Sequence, residues 1–316
     1  MSGVGPGVAV VCGGVGAAKL LAGMVRAVPA DSVTAIVNVG DDVELHGLHV
    51  SPDIDTVIYT VAGAIDPGRG WGLADETWHA MEGLSRYGAP TWFSLGDRDL
   101  ATHLFRTSRM AEGASLSTVT AEIAAAWKLA LHVLPVTDDP LRTMIRLDDP
   151  DAGDPEVAFQ EYFVRRQHAV PVRGVRFAGF DRARPAPGVL SALAGAEVVV
   201  IAPSNPLVSI DPVLAVPGVR SAVAARRDQV VAVSPIIGGR ALKGPADRML
   251  VELGHEASVV GVARHYAPFA ATLVVDEADA GLAGDVEAAG MRCIVTKTVM
   301  HDPTAAAELC STIVGS

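Results

Sequence analysis

The sequence predicts an α/β protein: a doubly wound, mostly parallel sheet with a smaller α+β region inserted into it. Three observations predict this. Short apolar runs without alternation, VAVVC at 8–12, VTAIVNV at 33–39 and AEVVVIAP at 196–203, have the texture of strands buried on both faces, as parallel strands are. The first run enters Gly13-Gly14-Val15-Gly16 and then a helical pattern, the strand–turn–helix opening of nucleotide-binding α/β folds. Between 130 and 178 the texture changes to short β-type segments separated by Asp-, Pro- and Gly-rich turns.

Composition agrees. The 316 residues suffice for one large domain or two ordinary ones. Half are hydrophobic and only 5% aromatic, so the core is aliphatic. A net charge of −11 argues against nucleic acid or an anionic membrane as the main partner, while small anionic ligands, which respond to local cations, stay open. Cys12, Cys293 and Cys310 are odd in number, far apart and without CxxC spacing. No disulfide framework or structural zinc is therefore expected, and a reducing cytoplasm is the expected location. No basic leader and no apolar stretch of membrane-spanning length is present.

In order, the strand at 8–12 is followed by a helix with Leu20, Leu21, Met24 and Val25 on one side. Gly13, Gly14 and Gly16 let backbone approach a phosphate, and the helix N-terminus offers N–H groups. The GxGxxG pattern fails at Lys19 and the Walker pattern also fails. The expected ligand is thus a phosphate or nucleotide in general, with a ligand-free tight turn as the plain alternative. The strand at 33–39 leads into Asp41 and Asp42, and Pro52 to Ala62 reads as a helix with Asp53 and Asp55 in its first turn. Four carboxylates gathered at a buried strand end suit a hard divalent cation or a general base. For any one of them alone, turn chemistry suffices. The glycine-rich stretch 63–78 carries Arg69, Trp71 and Trp78, which fit a ligand wall and core anchors equally. A helix at 79–88 and a strand at Pro90–Leu95 follow. Asp97 is then a candidate N-cap, with Arg98, Asp99, Thr102 and His103 on the first turn of its helix. Residues 115–126 are the next helix.

The segments LALHVLPV, TMIRL, VAFQEYFVRR and GVRFAGF read as strands of the insert, with Gln160, Glu161 and Tyr162 on one of them. ARPAPG at 183–188 is a linker, which puts the core at 1–96 and 187–316 and the insert at 97–186. The strand at 196–203 ends in Ser204-Asn205-Pro206, at the carboxyl edge where ligands of doubly wound sheets bind. A strand at 230–235 follows. Lys243 and Gly244 then precede a helix in an arrangement that suits an anion, or is an ordinary loop with a solvated lysine. Strands at 271–275 and 292–296 and helices at 276–289 and 302–313 complete the pattern.

Together GGVGAAKLL, VNVGDD, SPDIDTVIY, RGWGL, LGDRDLATH, APSNPLVSI and VSPIIGGRALKGPA resemble, in order, the motif set of the 2-phospho-L-lactate transferase family of coenzyme F-420 biosynthesis. The RGWGL–DETW stretch and the Gly- and Ala-heavy composition look like its actinobacterial, phosphoenolpyruvate-using branch. The resemblance implies a Rossmann-like fold with a smaller inserted subdomain. It implies transfer of an enolpyruvyl- or lactyl-phosphate group from a guanosine diphosphate donor to the terminal ribityl hydroxyl of the deazaflavin Fo, with GMP leaving and Mg²⁺ as cofactor. A homodimer is the expected assembly. On this resemblance Asp41 and Asp55 hold Mg²⁺, and one of Asp41, Asp53 and Asp55 takes the hydroxyl proton. Asp55, Trp71, Asp97, Arg98 and His103 line the Fo side. Gly13, Gly14, Gly16, Lys19, Ser204, Asn205, Pro206, Lys243 and Gly244 hold the nucleotide. Asp42 is left to turn structure. Val15 stands where many relatives have Thr, so no hydroxyl role is carried over there. The alternatives are a sugar-nucleotide-binding regulator of the same superfamily without transferase activity and, disfavoured by the broken GxGxxG, an NAD-dependent oxidoreductase.

Overall fold

A computed structural model describes residues 7–149 and 156–316. In chain order, β1 (Val8–Cys12) and α1 (Gly14–Ala27) lead to β2 (Val33–Val37). A hairpin of β3 (Val43–Leu45) and β4 (Leu48–Val50) precedes α2 (Pro52–Val61), α3 (His79–Arg86), α4 (Asp99–Ala111) and α5 (Leu116–Ala126). Next come β5 (His132–Pro135), β6 (Arg142–Leu147), β7 (Glu156–Ala158) and β8 (Val172–Ala178). The chain continues through α6 (Val189–Gly195), β9 (Val198–Ile201), α7 (Asp211–Ala215), α8 (Val219–Ala224), β10 (Val230–Val233), β11 (Ile236–Ile237) and β12 (Arg240–Ala241). It ends with α9 (Ala246–Glu252), α10 (Val259–Tyr266), β13 (Thr272–Asp276), α11 (Ala283–Ala288), β14 (Arg292–Thr296) and α12 (Pro303–Val314).

Among the described residues the main sheet has seven strands in the order β14-β13-β10-β9-β1-β2-β5, and every pairing is parallel. Its central strands are the uninterrupted apolar runs: all five residues of β1 and all four of β10 are buried. Each Val or Ile so buried stabilises the fold by about 1.5–3 kcal/mol relative to exposure. From β1 the chain moves outward through β2 to β5, then returns to β9 on the other side of β1 and runs outward again. The switch point therefore lies between β1 and β9, which puts a ligand crevice beyond their carboxyl ends. Helices cover both faces. α12 lies along α1, where a Cβ on Gly23 would come within 2.4 Å of the Ala306 backbone, so only glycine permits this approach.

Three sequence expectations change. The run at 130–136 was expected in the insert, yet β5 pairs with β2 from Thr34↔His132 to Val37↔Pro135 and is the edge of the main sheet. Half-exposed edge strands carry a strand pattern that does not say which sheet they join. Among the described residues the antiparallel insert sheet is β7-β6-β8. Gln160, Glu161 and Tyr162 are not on a strand: Glu161–Arg165 is one wide helical turn that buries Tyr162. Pro90–Leu95 forms no strand, because its apolar residues instead fill a small satellite core. Leu95 packs there with Leu45, Val50 and Met81, and Trp92 and Phe93 pack against them. Among the described residues no helix is long and apolar enough to cross a membrane.

Candidate active site

The crevice begins with the glycine turn. Gly14 has φ +73°, and a Cβ on Gly16 would stand 2.3 Å from the Pro203 carbonyl oxygen. Gly16 thus lets α1 start against the turn that follows β9. Across the switch point the buried Ser204 Oγ donates to the Gly13 carbonyl at 2.6 Å. The glycine turn and the Ser204-Asn205-Pro206 turn are therefore one structure. Asn205 Oδ1 accepts the Leu207 N–H at 3.0 Å, and Pro206 is buried in the next turn.

The four acids separate into two groups. Asp53 faces the glycine turn: Oδ1 accepts the Gly14 N–H at 2.8 Å and Oδ2 accepts Asn38 Nδ2 at 3.0 Å. Asn38 in turn accepts the Gly40 N–H at 2.8 Å. Asp41 lies in the same group, 4% exposed, near Asn38 and Thr143. Burial pushes its carboxyl well above the usual carboxylate range, and the neighbouring charge of Asp53 pushes it further. Burial likewise raises Asp53 to about 6, against the pull of Asn38 and the Gly14 N–H. Asp42 is more than a turn residue. Its Oδ2 is hydrogen-bonded by Ser51 Oγ and by His49 Nε2, each at 2.9 Å, and it is 4% exposed.

Asp55, two residues beyond Asp53 on α2, faces α4 instead. Arg106 Nη1 donates to Asp55 Oδ2 at 3.1 Å and Arg106 Nη2 to Asp55 Oδ1. His103 is also buried, with Nδ1 3.7 Å from Asp55 and Nε2 3.1 Å from Asp99. The Tyr59 hydroxyl lies 2.7 Å from both Asp99 Oδ1 and Thr102 Oγ1. Burial raises the Asp55 carboxyl, and the charges of Arg106 and His103 draw it back.

The other predicted residues have local partners of their own. Asp97 does not cap its own helix. It accepts the His79 and Ala80 N–H groups of α3 at 3.0 Å, while Glu76 accepts the Arg98 and Asp99 N–H groups of α4 at 2.8 Å. The two helices thus exchange caps, and Arg98 Nη1 donates to the Ala74 carbonyl. Trp71 is 43% exposed and Trp78 is half-buried, with Arg69 lying over both rings at 5.4 and 5.3 Å. Trp71 therefore fits the ligand wall and Trp78 the anchor. Lys243 extends over the Gly70 turn, where an added Cβ would stand 3.0 Å from its Nζ, and Gly244 has φ +71°. That brings Lys243 beside the Arg69–Trp71 loop. Lys19 is exposed and reaches the Met300 carbonyl at 3.4 Å.

Asn38, His49 and Arg106 join the site although they are not among the residues predicted for it. Arg106 follows Asp99, Thr102 and His103 at helical spacing, a signal that could have found it.

A divalent cation fits the first group. Among the described residues Asp41 Oδ1 and Asp42 Oδ1 are buried without a hydrogen-bond partner, and three carboxylates crowd one another there. Asp55 fits less well, because both its oxygens are taken by Arg106. The trio Asp55, Asp99 and His103 has ligand atoms within 4.8 Å of one another, but this guanidinium already lies against it.

Comparison with known proteins gives three findings. The family described as 2-phospho-L-lactate transferase CofD matches residues 8–310. A phosphoenolpyruvate transferase of Kitasatospora aureofaciens is 46% identical over 96% of this chain and 95% of its own, and one of Mycobacterium avium is 41% identical over 96% of each. The crystal structure of BH3568 from Bacillus halodurans superposes with a TM-score of 0.66 at 16% identity, covering 98% of this chain and 99% of that one, and shares the fold.

Proposed function

The chain belongs to the 2-phospho-L-lactate transferase CofD family, a family of transferases, and on that premise we propose which groups it transfers and how. The reaction serves coenzyme F-420 biosynthesis. The donor is enolpyruvyl-diphosphoguanosine, by likeness to the phosphoenolpyruvate transferases that share 41–46% of its residues. The acceptor is the terminal ribityl hydroxyl of Fo, and GMP leaves. The observation that carries this reading is the meeting of buried carboxylates with the glycine turn at the sheet's switch point.

The chemistry needs an alcohol held in line with a diphosphate, charge neutralised there, and a proton accepted. Asp41, with the free oxygen of Asp42 beside it, would hold Mg²⁺. Bound there, Mg²⁺ neutralises phosphate charge, and it characteristically takes only one or two protein carboxylates. Asp53 is the proton acceptor: a carboxyl raised to about 6 is matched to that task near neutral pH, and Gly14 and Asn38 fix its orientation. Gly13, Gly14 and Ser204 form the phosphate side of the crevice, with Lys243 reaching in from the opposite loop. Trp71 supplies an aromatic face for the deazaflavin. Asp55 and His103 brace the acceptor side from beneath.

The test is release of GMP by the purified protein. It should require donor, Fo and Mg²⁺ together. GMP release that is indifferent to Fo would reject the transfer and leave a hydrolase or a nucleotide-binding regulator.

A further inference from the structure

One buried residue near this crevice lies outside every motif. Arg106 is 0% exposed, and a buried guanidinium is costly unless it is paired; among the described residues its Nε has no hydrogen-bond partner. Its two terminal nitrogens both engage the carboxylate of Asp55, and Nη1 also lies 3.3 Å from His103 Nδ1. Asp55 belongs to the same first turn of α2 as Asp53, whose carboxylate is clamped by Gly14 and Asn38. The next residue of α4 grips a second segment: the His49 N–H donates to Thr107 Oγ1 at 2.8 Å, and His49 Nε2 holds Asp42 at 2.9 Å. Arg106 and Thr107 thus fasten two segments to one helix: α2, which carries Asp53 and Asp55, and β4, whose His49 holds Asp42.

We propose that Arg106 is a positioning residue for the transfer: its fork on Asp55 sets the first turn of α2, and through it Asp53, at the angle the acidic crevice needs, without touching substrate. The proposal rests on the transferase reading. It also accounts for the division of the acids. Arg106 acts as a permanent internal cation for Asp55 and Asp99, which leaves the exchangeable cation to the Asp41 side. A single point charge could neutralise Asp55, but only a planar fork fixes both of its oxygens.

The test compares wild type with Arg106→Lys and with the neutral pair Asp55→Asn/Arg106→Met, which removes the buried ion pair as a whole should the lysine variant fail to fold. Thermal melting, Mn²⁺ affinity by electron paramagnetic resonance, and kcat and KM for both substrates are measured. The expected result is a folded variant with kcat down at least tenfold, both KM values within about threefold of wild type, and weaker Mn²⁺ binding. Wild-type kcat in a folded variant would overturn the proposal, as would a loss that appears only as lower melting temperature. Should wild type itself transfer nothing, the transferase reading falls, and Mn²⁺ affinity alone decides: unchanged affinity in either folded variant overturns the positioning role, and weakened affinity sustains it.

Discussion

Replacing Asp53 by Asn should change stability with a sign that depends on pH. In the fold Asp53 is raised to about 6 from an ordinary 3.8, chiefly by burial. Between those values the folded state holds a proton that the unfolded chain has lost, so stability falls as pH rises through this window and is level above it. The penalty at pH 7.5 is about 3 kcal/mol, and at pH 4.5 about 1 kcal/mol. Asparagine escapes this penalty. It keeps one acceptor for Gly14 but turns an amide toward the Asn38 amide, which forfeits a hydrogen bond worth about 1 kcal/mol. The variant should therefore match wild type near pH 4.5 and exceed it by about 2 kcal/mol at pH 7.5, a rise of a few degrees in Tm. Calorimetry of both proteins in EDTA at the two pH values reads this directly. A variant equally destabilised at both would refute the assignment of a buried, proton-holding Asp53. Turnover at pH 7.5 should meanwhile drop by about 10²–10⁴ if Asp53 accepts the proton.

Three further outcomes follow from the same geometry. Asp41→Asn should fold, lose turnover, and lose the rise in melting temperature that Mg²⁺ gives wild type; a Mg²⁺-dependent rise in the variant would move the cation elsewhere. Lys243→Ala should raise KM for the donor about tenfold with little effect on KM for Fo, and equal changes in both would contradict the placement of Lys243 on the phosphate side. Gly16→Ala forces a methyl onto the Pro203 carbonyl and should destabilise by roughly 1–3 kcal/mol, seen in urea titration as a lower midpoint at unchanged slope.

Much of this was legible in the chain. The central strands β1, β2, β9 and β10 declare themselves because strands buried on both faces must be apolar throughout. β5 did not, since an edge strand of four residues has no such requirement. The acidic block was visible as a group, but its division was not. Asp53 and Asp55 are two residues apart on a helix, hence about 200° apart around it, and so face the glycine turn and α4 respectively. Asp97 looked like a cap for its own helix, because the exchange with Glu76 joins residues about twenty positions apart. Arg106 shares a helical spacing with Asp99, Thr102 and His103, but that spacing does not say that its partner is a carboxylate 51 positions away.

The transfer itself is tested most directly by the mass of the product formed from Fo, Mg²⁺ and each candidate diphosphoguanosine donor. The expected product is a phosphodiester of Fo bearing an enolpyruvyl group, two hydrogens lighter than the lactyl product, with GMP released in equal amount. Fo recovered unchanged with every donor would contradict it.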